Sequence, residues 1–174
     1  GIRDFSLYSG LGDVYKRQAL YIHWPFCKIK CPYCDFNSYK RESTNQSHWL
    51  KAYLRALELW SSRLAKREIK SIFFGGGTPS LLDPDFVEML LQKIDSLWSI
   101  NGNCEITIEA NPNSVSPRKF KLFKEIGINR VSVGVQALNN KDLNNLGRDH
   151  NKNQAIKAIE VINTWFKNYN LDFI

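Results

Sequence analysis

The sequence predicts an α/β fold with parallel strands, and three observations carry that prediction. Short β-branched and aromatic runs alternate with stretches of helical periodicity from Ala19 to Ile174. The intervals after the second, third and fourth runs each hold enough chain for a helix, which carries a strand back for parallel pairing. The Cys-rich, Gly-rich and isolated polar features all follow such runs, at the end where α/β proteins gather their reactive groups.

The first run is Ala19 to His23, followed by a Cys-rich loop to about Thr44. From Gln46 to Arg67 apolar residues (Leu50, Tyr53, Leu54, Leu57, Trp60, Leu64) recur at helical spacing, with charged residues on the other face. Ile69 to Phe74 reads as a buried strand that stops at Gly75-Gly76-Gly77. Asp83 then caps a helix with Pro84 at its first position, its apolar face formed by Phe86, Val87, Leu90, Leu91, Ile94 and Leu97. Glu105 to Glu109 is the third strand. Ser116-Pro117 starts a helix that Gly127 stops, and Arg130 to Gln136 is the fourth strand. Helical turns near Lys141 to Leu146 and a helix from Asn153 to Lys167 lead to Leu171-Asp172-Phe173-Ile174, which reads as a strand cut off in the middle.

With 174 residues, 43% of them hydrophobic and 24% charged, the composition is that of about one globular domain. Disordered, collagen-like and disulfide-stapled classes are excluded. No apolar run approaches the roughly 20 residues a membrane helix needs, so no transmembrane segment is expected. The formal charge of +7 is the excess of 24 Lys and Arg over 17 Asp and Glu, and the basic residues are scattered along the chain rather than gathered in one block for nucleic acid. The only Met is Met89, and residues 1 to 18 lack a clean period. They are set aside as a non-native or disordered tail, leaving residues 19 to 174 as an incomplete core domain.

Cys27, Cys31 and Cys34 form one Cys-x-x-x-Cys-x-x-Cys run, while Cys104 opens a strand and packs as a small apolar residue. Three clustered thiols leave one odd, which argues against a disulfide framework. Zinc needs four protein ligands in a structural site and would have to borrow His23 or Cys104. A compact loop of three thiolates suits one face of an iron-sulfur cubane better. A 4Fe-4S cluster so held keeps one iron open to a small chelating molecule with an amine and a carboxylate. The methionine end of S-adenosyl-L-methionine has both, and an electron passed to its sulfonium would release a 5'-deoxyadenosyl radical.

Tyr21-Ile22-His23-Trp24-Pro25-Phe26-Cys27 through Cys34 resembles the cluster loop of the radical S-adenosylmethionine (radical SAM) superfamily, specifically its oxygen-independent coproporphyrinogen III oxidase group. Gly75-Gly76-Gly77-Thr78-Pro79-Ser80, Glu109-Ala110-Asn111-Pro112, Arg130 to Gln136 and Leu146-Gly147-Arg148 follow in that family's order. The resemblance implies a partial (βα)6-type radical SAM barrel of parallel strands, truncated at its C-terminus. It assigns the cluster to Cys27, Cys31 and Cys34, and S-adenosyl-L-methionine to Tyr21, Tyr33, Gly76, Gly77, Thr78, Glu109, Gln136, Arg148 and Asp172. His23 matches a histidine beside the cluster, with a hydrogen-bonded structural imidazole as the alternative. His48 and His150 carry no argument beyond exposed polar positions. Taken alone, Arg148 would read as a surface ion pair, whereas three consecutive glycines at a strand end read as a place where a ligand approaches backbone groups, with a mere tight turn as the lesser alternative.

One departure selects a branch. The porphyrinogen-oxidising members carry another cysteine two positions after the motif, where this chain has Phe36. Cys-Pro-Tyr-Cys-Asp-Phe-Asn-Ser looks instead like the HemW branch, described as haem chaperones. That resemblance implies haem as a ligand of the full-length protein, a flavodoxin-type electron donor and haem-acceptor proteins as partners, and a reducing, cytoplasmic compartment. The alternatives are porphyrinogen oxidation, with coproporphyrinogen III as substrate, and a zinc-stabilised nucleic-acid module.

Overall fold

The computed structural model describes residues 17–64 and 68–174. In chain order its elements are β1 (Arg17–Trp24), β2 (Phe26–Cys27), β3 (Tyr39–Lys40), α1 (Gln46–Arg63), β4 (Glu68–Gly76), α2 (Pro84–Trp98), β5 (Ile100–Ala110), α3 (Pro117–Glu125), β6 (Arg130–Gln136), α4 (Asn140–Asn145), α5 (Lys152–Trp165) and β7 (Asn168–Phe173). Five strands form one sheet in the order β1-β4-β5-β6-β7, every neighbouring pair parallel. Spatial order equals chain order, as expected when each crossover lands beside the strand it left. The short strands β2 and β3, which the sequence reading missed, pair with each other at the start and end of the cysteine loop.

Four boundaries differ from expectation. β1 begins at Arg17, two residues before the expected Ala19, because Arg17 and Gln18 pair with Glu68 and Ile69. The remainder of the expected tail lies outside the described residues. β5 begins at Ile100, where Ile100 pairs with Ile69, well before the expected Glu105. β7 begins at Asn168 rather than Leu171, because its polar residues Asn168, Asn170 and Asp172 alternate with Tyr169 and Leu171. α1 ends at Arg63, and Leu64 is already extended at φ −107°.

The sheet separates two environments by its period of two. Ile22 and Trp24, Ile72 and Phe74, Ile106 and Ile108, and Val131, Val133 and Val135 bury one face against the helices. Phe86, Leu90, Leu91 and Ile94 of α2, Phe120 and Phe123 of α3 and Ile162 of α5 join them in that core. The positions between, on the other face, include Tyr21, His23, Thr107, Glu109, Ser132, Gly134, Gln136, Asn170 and Asp172. That face is polar.

Tethers rather than propensity fix the helix starts. Asp83 holds the N-cap position of α2 as expected, but its side chain makes no capping bond. Its backbone N–H donates instead to Gln46 Oε1 at 2.9 Å, binding the start of α2 to the start of α1. Trp98, which the sequence reading left off the apolar face of α2, is buried. Trp60 of α1, expected in the core, is 55% exposed at the rim of an apolar recess with Leu57 and Ile69. At α5, the Asn151 side chain accepts from Gln154 N–H at 2.9 Å, and Gln154 Oε1 accepts from Asn151 N–H at 2.9 Å. Asn151→Ala removes one half of this reciprocal box, and an expected loss of about 1 kcal/mol is measurable by urea unfolding.

Candidate functional site

The cysteine loop leaves the sheet from an aromatic mount. Trp24, Phe26, Trp49, Tyr53 and Phe86 meet largely edge to face, with Trp24–Phe26 and Phe26–Trp49 centroids both 5.2 Å apart. Burial pushes the Tyr53 phenol up to about 12, and its hydroxyl donates to the carbonyl of His23. This mount fixes Phe26 and therefore the direction in which Cys27 enters the loop.

Several bonds close the loop on itself. Lys30 Nζ donates to the carbonyls of Phe36 and Ser38, each at 3.0 Å, and Arg41 N–H donates to Cys27 O at 2.9 Å. His23 Nε2 lies 2.9 Å from Asn37 O and His23 Nδ1 lies 3.2 Å from the Tyr21 hydroxyl. Since a carbonyl only accepts, Nε2 carries the proton and the hydroxyl donates to Nδ1 in the neutral ring. His23 is thus a structural imidazole stapling β1 to the loop, with neither nitrogen free for a metal. Cys104, the other residue that zinc was to borrow, is buried in the core and lies five strand positions from Glu109, roughly 16 Å away. Among the described residues no three His, Cys, Asp or Glu side chains gather closely enough to hold a single metal ion.

Cys27, Cys31 and Cys34 are free thiols, and all three line one cavity of about 360 Å³ at the C-terminal ends of the strands. Tyr33, Gly77, Thr78, Glu109, Gln136, Arg148 and Asp172 line it too, so most of the residues singled out from sequence converge there. Tyr21 and Gly76 are not among its lining residues. Tyr21 stacks on Phe73 and is 55% exposed, while Gly76 N–H donates to Glu109 Oε2 at 3.0 Å. Three thiols around one cavity, with no fourth thiol or free imidazole beside them among the described residues, are a donor set that suits a cubane with one metal corner open.

The glycines serve a purpose that the sequence reading did not foresee. A Cβ on Gly77 would lie 2.6 Å from the backbone oxygen of Phe26, and Gly76 has φ +111°. Gly77 N–H donates to Trp24 O at 2.6 Å and Thr78 N–H to Phe26 O at 2.9 Å. The glycines therefore let the cysteine loop's backbone approach that of β4. The N–H groups of Gly76, Gly77 and Thr78 are thus spent on holding the loop and Glu109, and since an ammonium only donates, the acceptors this turn offers it are carbonyl oxygens and the Thr78 hydroxyl.

Gln136 closes β6 with φ +66°, a strained conformation for a side-chain-bearing residue, beside the register shift between β6 and β7. Asp172 accepts from Ser132 Oγ at 2.8 Å and from Asn170 Nδ2 at 2.7 Å, which aims its carboxylate from the last strand. Ser132 and Lys30, also in the lining, were missed. The spacing of Ser132, two and four residues before Gly134 and Gln136 on the same strand face, is the signal that could have found it. His150, expected to be exposed, is 4% exposed and lies 3.1 Å from Val135 O through Nε2, because the turn after α4 folds under the end of β6.

Glu109 is the electrostatic centre. Burial, with the charge of Asp172 added, pushes its carboxyl up to about 7 from 4.5, against the pull of the Gly76 N–H. Between those two values the folded protein binds more protons than the unfolded chain, so this group makes stability fall as pH rises. Its cost is absent below the lower value and complete above the upper one, where it reaches up to about 3 kcal/mol. Glu109→Gln is therefore expected to match the parent's stability near pH 4 and exceed it near pH 8. Urea titrations across that range check this; a parent protein that gains on the variant as pH rises would overturn it.

A family model of the radical SAM superfamily matches residues 21–173. The heme chaperone HemW of Buchnera aphidicola subsp. Schizaphis graminum is 43% identical over 157 residues, covering 90% of this chain and 42% of that protein. HemW of Haemophilus influenzae is 39% identical over 162 residues, covering 90% of this chain and 42% of that protein. Among solved structures, the coproporphyrinogen III oxidase HemN of Escherichia coli superposes with a TM-score of 0.75 at 27% identity, covering 91% of this chain and 37% of that one. The chain thus spans about two fifths of the length of these relatives.

Proposed function

The chain belongs to the radical SAM superfamily, and from that premise we propose that it holds a 4Fe-4S cluster through Cys27, Cys31 and Cys34 and binds S-adenosyl-L-methionine beside it. The single observation carrying this reading is the shared cavity, in which three free thiols face Glu109, Gln136, Arg148 and Asp172. When bound, the cluster supplies an open iron for the nucleotide's amine and carboxylate and an electron for its sulfonium.

The chain's own residues would bind and orient. Carbonyl oxygens of the Gly76–Thr78 turn receive an ammonium. Glu109, with its pKa near 7 and one oxygen already holding Gly76 N–H, has a second oxygen for a ribose hydroxyl or the ammonium. Asp172 is held by Ser132 and Asn170 to do the same from the opposite strand. Tyr33, 40% exposed between two of the thiols, offers a ring face to adenine.

For the whole protein the reading is a HemW-like haem chaperone in a reducing, cytoplasmic compartment, with haem or a porphyrin as ligand, a flavodoxin-type electron donor and haem-accepting partners. The identity with the HemW proteins and Phe36 in place of a further cysteine support it. Porphyrinogen oxidation is the second reading, favoured by the likeness to HemN. Electron paramagnetic resonance of anaerobically reconstituted, reduced protein tests the core claim: adding S-adenosyl-L-methionine should change the cluster signal, and an unchanged signal would defeat it. Incubation with coproporphyrinogen III, reductant and S-adenosyl-L-methionine separates the two readings, since protoporphyrinogen formation would eliminate the carrier-only one.

A further inference from the structure

Arg148 is placed against a thiol rather than in open solvent. Its Nη1 donates to Cys31 Sγ at 3.3 Å and to the Tyr33 hydroxyl at 3.3 Å, and its Nη2 donates to Gly134 O at 2.7 Å. The guanidinium is thereby clamped between the end of β6 and the cysteine loop. Gly147 makes the approach possible. Its φ of +64° turns the chain, and a Cβ there would lie 2.6 Å from Pro32 Cδ, the residue after Cys31. Behind it, His150 anchors the same turn to Val135. The Tyr33 hydroxyl, itself held by Arg148, also interacts with the Cys31 side chain by a hydrogen bond, so the guanidinium and the phenol meet at one sulfur.

We infer that Arg148 tunes the electron affinity of the cluster through a charge-assisted hydrogen bond to the thiolate of Cys31. The inference rests on the cluster reading above and adds to it a role in redox poise. When a thiolate-held cluster gains an electron, negative charge spreads onto its sulfurs, and an N–H donor there binds the reduced state more strongly. The bond therefore raises the reduction potential. A guanidinium has five N–H donors, of which three are engaged here and the Nε–H is buried, which leaves one Nη2 N–H for a carboxylate of the nucleotide.

The test is a potentiometric titration of the intact, reconstituted protein without S-adenosyl-L-methionine, followed by the paramagnetic signal of the reduced cluster. Arg148→Gln should lower the reduced-to-oxidised ratio at a fixed ambient potential by about tenfold, a shift of about 59 mV to more negative values for a one-electron couple. Arg148→Lys keeps the charge but not a rigid fork that can hold Gly134 O and Sγ together, so it should shift the same way by a smaller amount. An Arg148→Gln protein with a full cluster signal and the parent's potential overturns the inference.

A measurement on the unaltered protein covers the case in which the variants fail to assemble a cluster. With arginine labelled with nitrogen-15 in its guanidinium, the reduced cluster should show hyperfine coupling to that nitrogen, and its absence would also overturn the inference. Absence of iron and sulfide from the unaltered protein is a different outcome. It would remove the cluster reading itself, and this inference with it.

Discussion

Replacing any one of Cys27, Cys31 and Cys34 by alanine is expected to abolish the cluster in the intact protein, with bound iron falling from about four per chain to less than one. The reason is geometric. Each thiol lines the same cavity, His23 has both ring nitrogens engaged, and Cys104 lies in the core near the far end of β5, so none can stand in for a lost ligand. Iron and acid-labile sulfide analysis after anaerobic reconstitution provides the measurement. Cys104→Ala is the matched control, and it should retain its iron. A single variant at Cys27, Cys31 or Cys34 that keeps a full complement of iron, or a Cys104 variant that loses it, would contradict this ligand assignment.

Gly77→Ala carries the second large effect, expected to cost about 3 kcal/mol of stability and to displace the cysteine loop. The added methyl would meet the N, C and O atoms of Phe26 at 2.6 to 2.8 Å, and backbone cannot swing aside as a long side chain can. Relief would require separating the Gly77–Trp24 and Thr78–Phe26 hydrogen bonds that fix the loop to β4. Gly102→Ala is the informative comparison, since a Cβ there has nothing within 4 Å. It should change stability by only a few tenths of a kcal/mol, well inside the range for an uncrowded surface position. Thermal unfolding of the two variants side by side, together with reconstituted cluster content, distinguishes a packing defect from a general intolerance of alanine for glycine.

The strands with strong apolar runs were legible because one face of each is buried against helices. Ile69 to Phe74 and Arg130 to Gln136 were located to within a residue or two of their N-terminal limits. β7 and the first half of β5 were hidden because their residues outside the core are polar, so the period of two does not register as a hydrophobic run. The two-residue strands β2 and β3 carry no periodicity at all, and it is the backbone bonds from Tyr39 N–H to Pro25 O and from Arg41 N–H to Cys27 O that make them a pair.

The site divides along the same line. The three thiols could be grouped from their spacing, since all lie within one loop. The glycines, Glu109, Gln136, Arg148 and Asp172 could be placed together through the order of their motifs in a resembling family. Their partners could not. That Gly77 yields space to Phe26, that Arg148 reaches Cys31 across 117 positions, and that His150 is buried beneath β6 are contacts between distant segments with no local signature.

By itself, then, the amino-acid order determined the alternation of strand and helix, the parallel class of the sheet, and the clustering of thiols in one loop, because each follows from patterns a few residues long. Only the tertiary structure decided which donor reaches which sulfur, why the glycines are glycines, and that Glu109 is half-buried within range of the Asp172 charge with its carboxyl pushed up to about 7. Those properties depend on the distance and dielectric between groups that the chain brings together only when the sheet has formed.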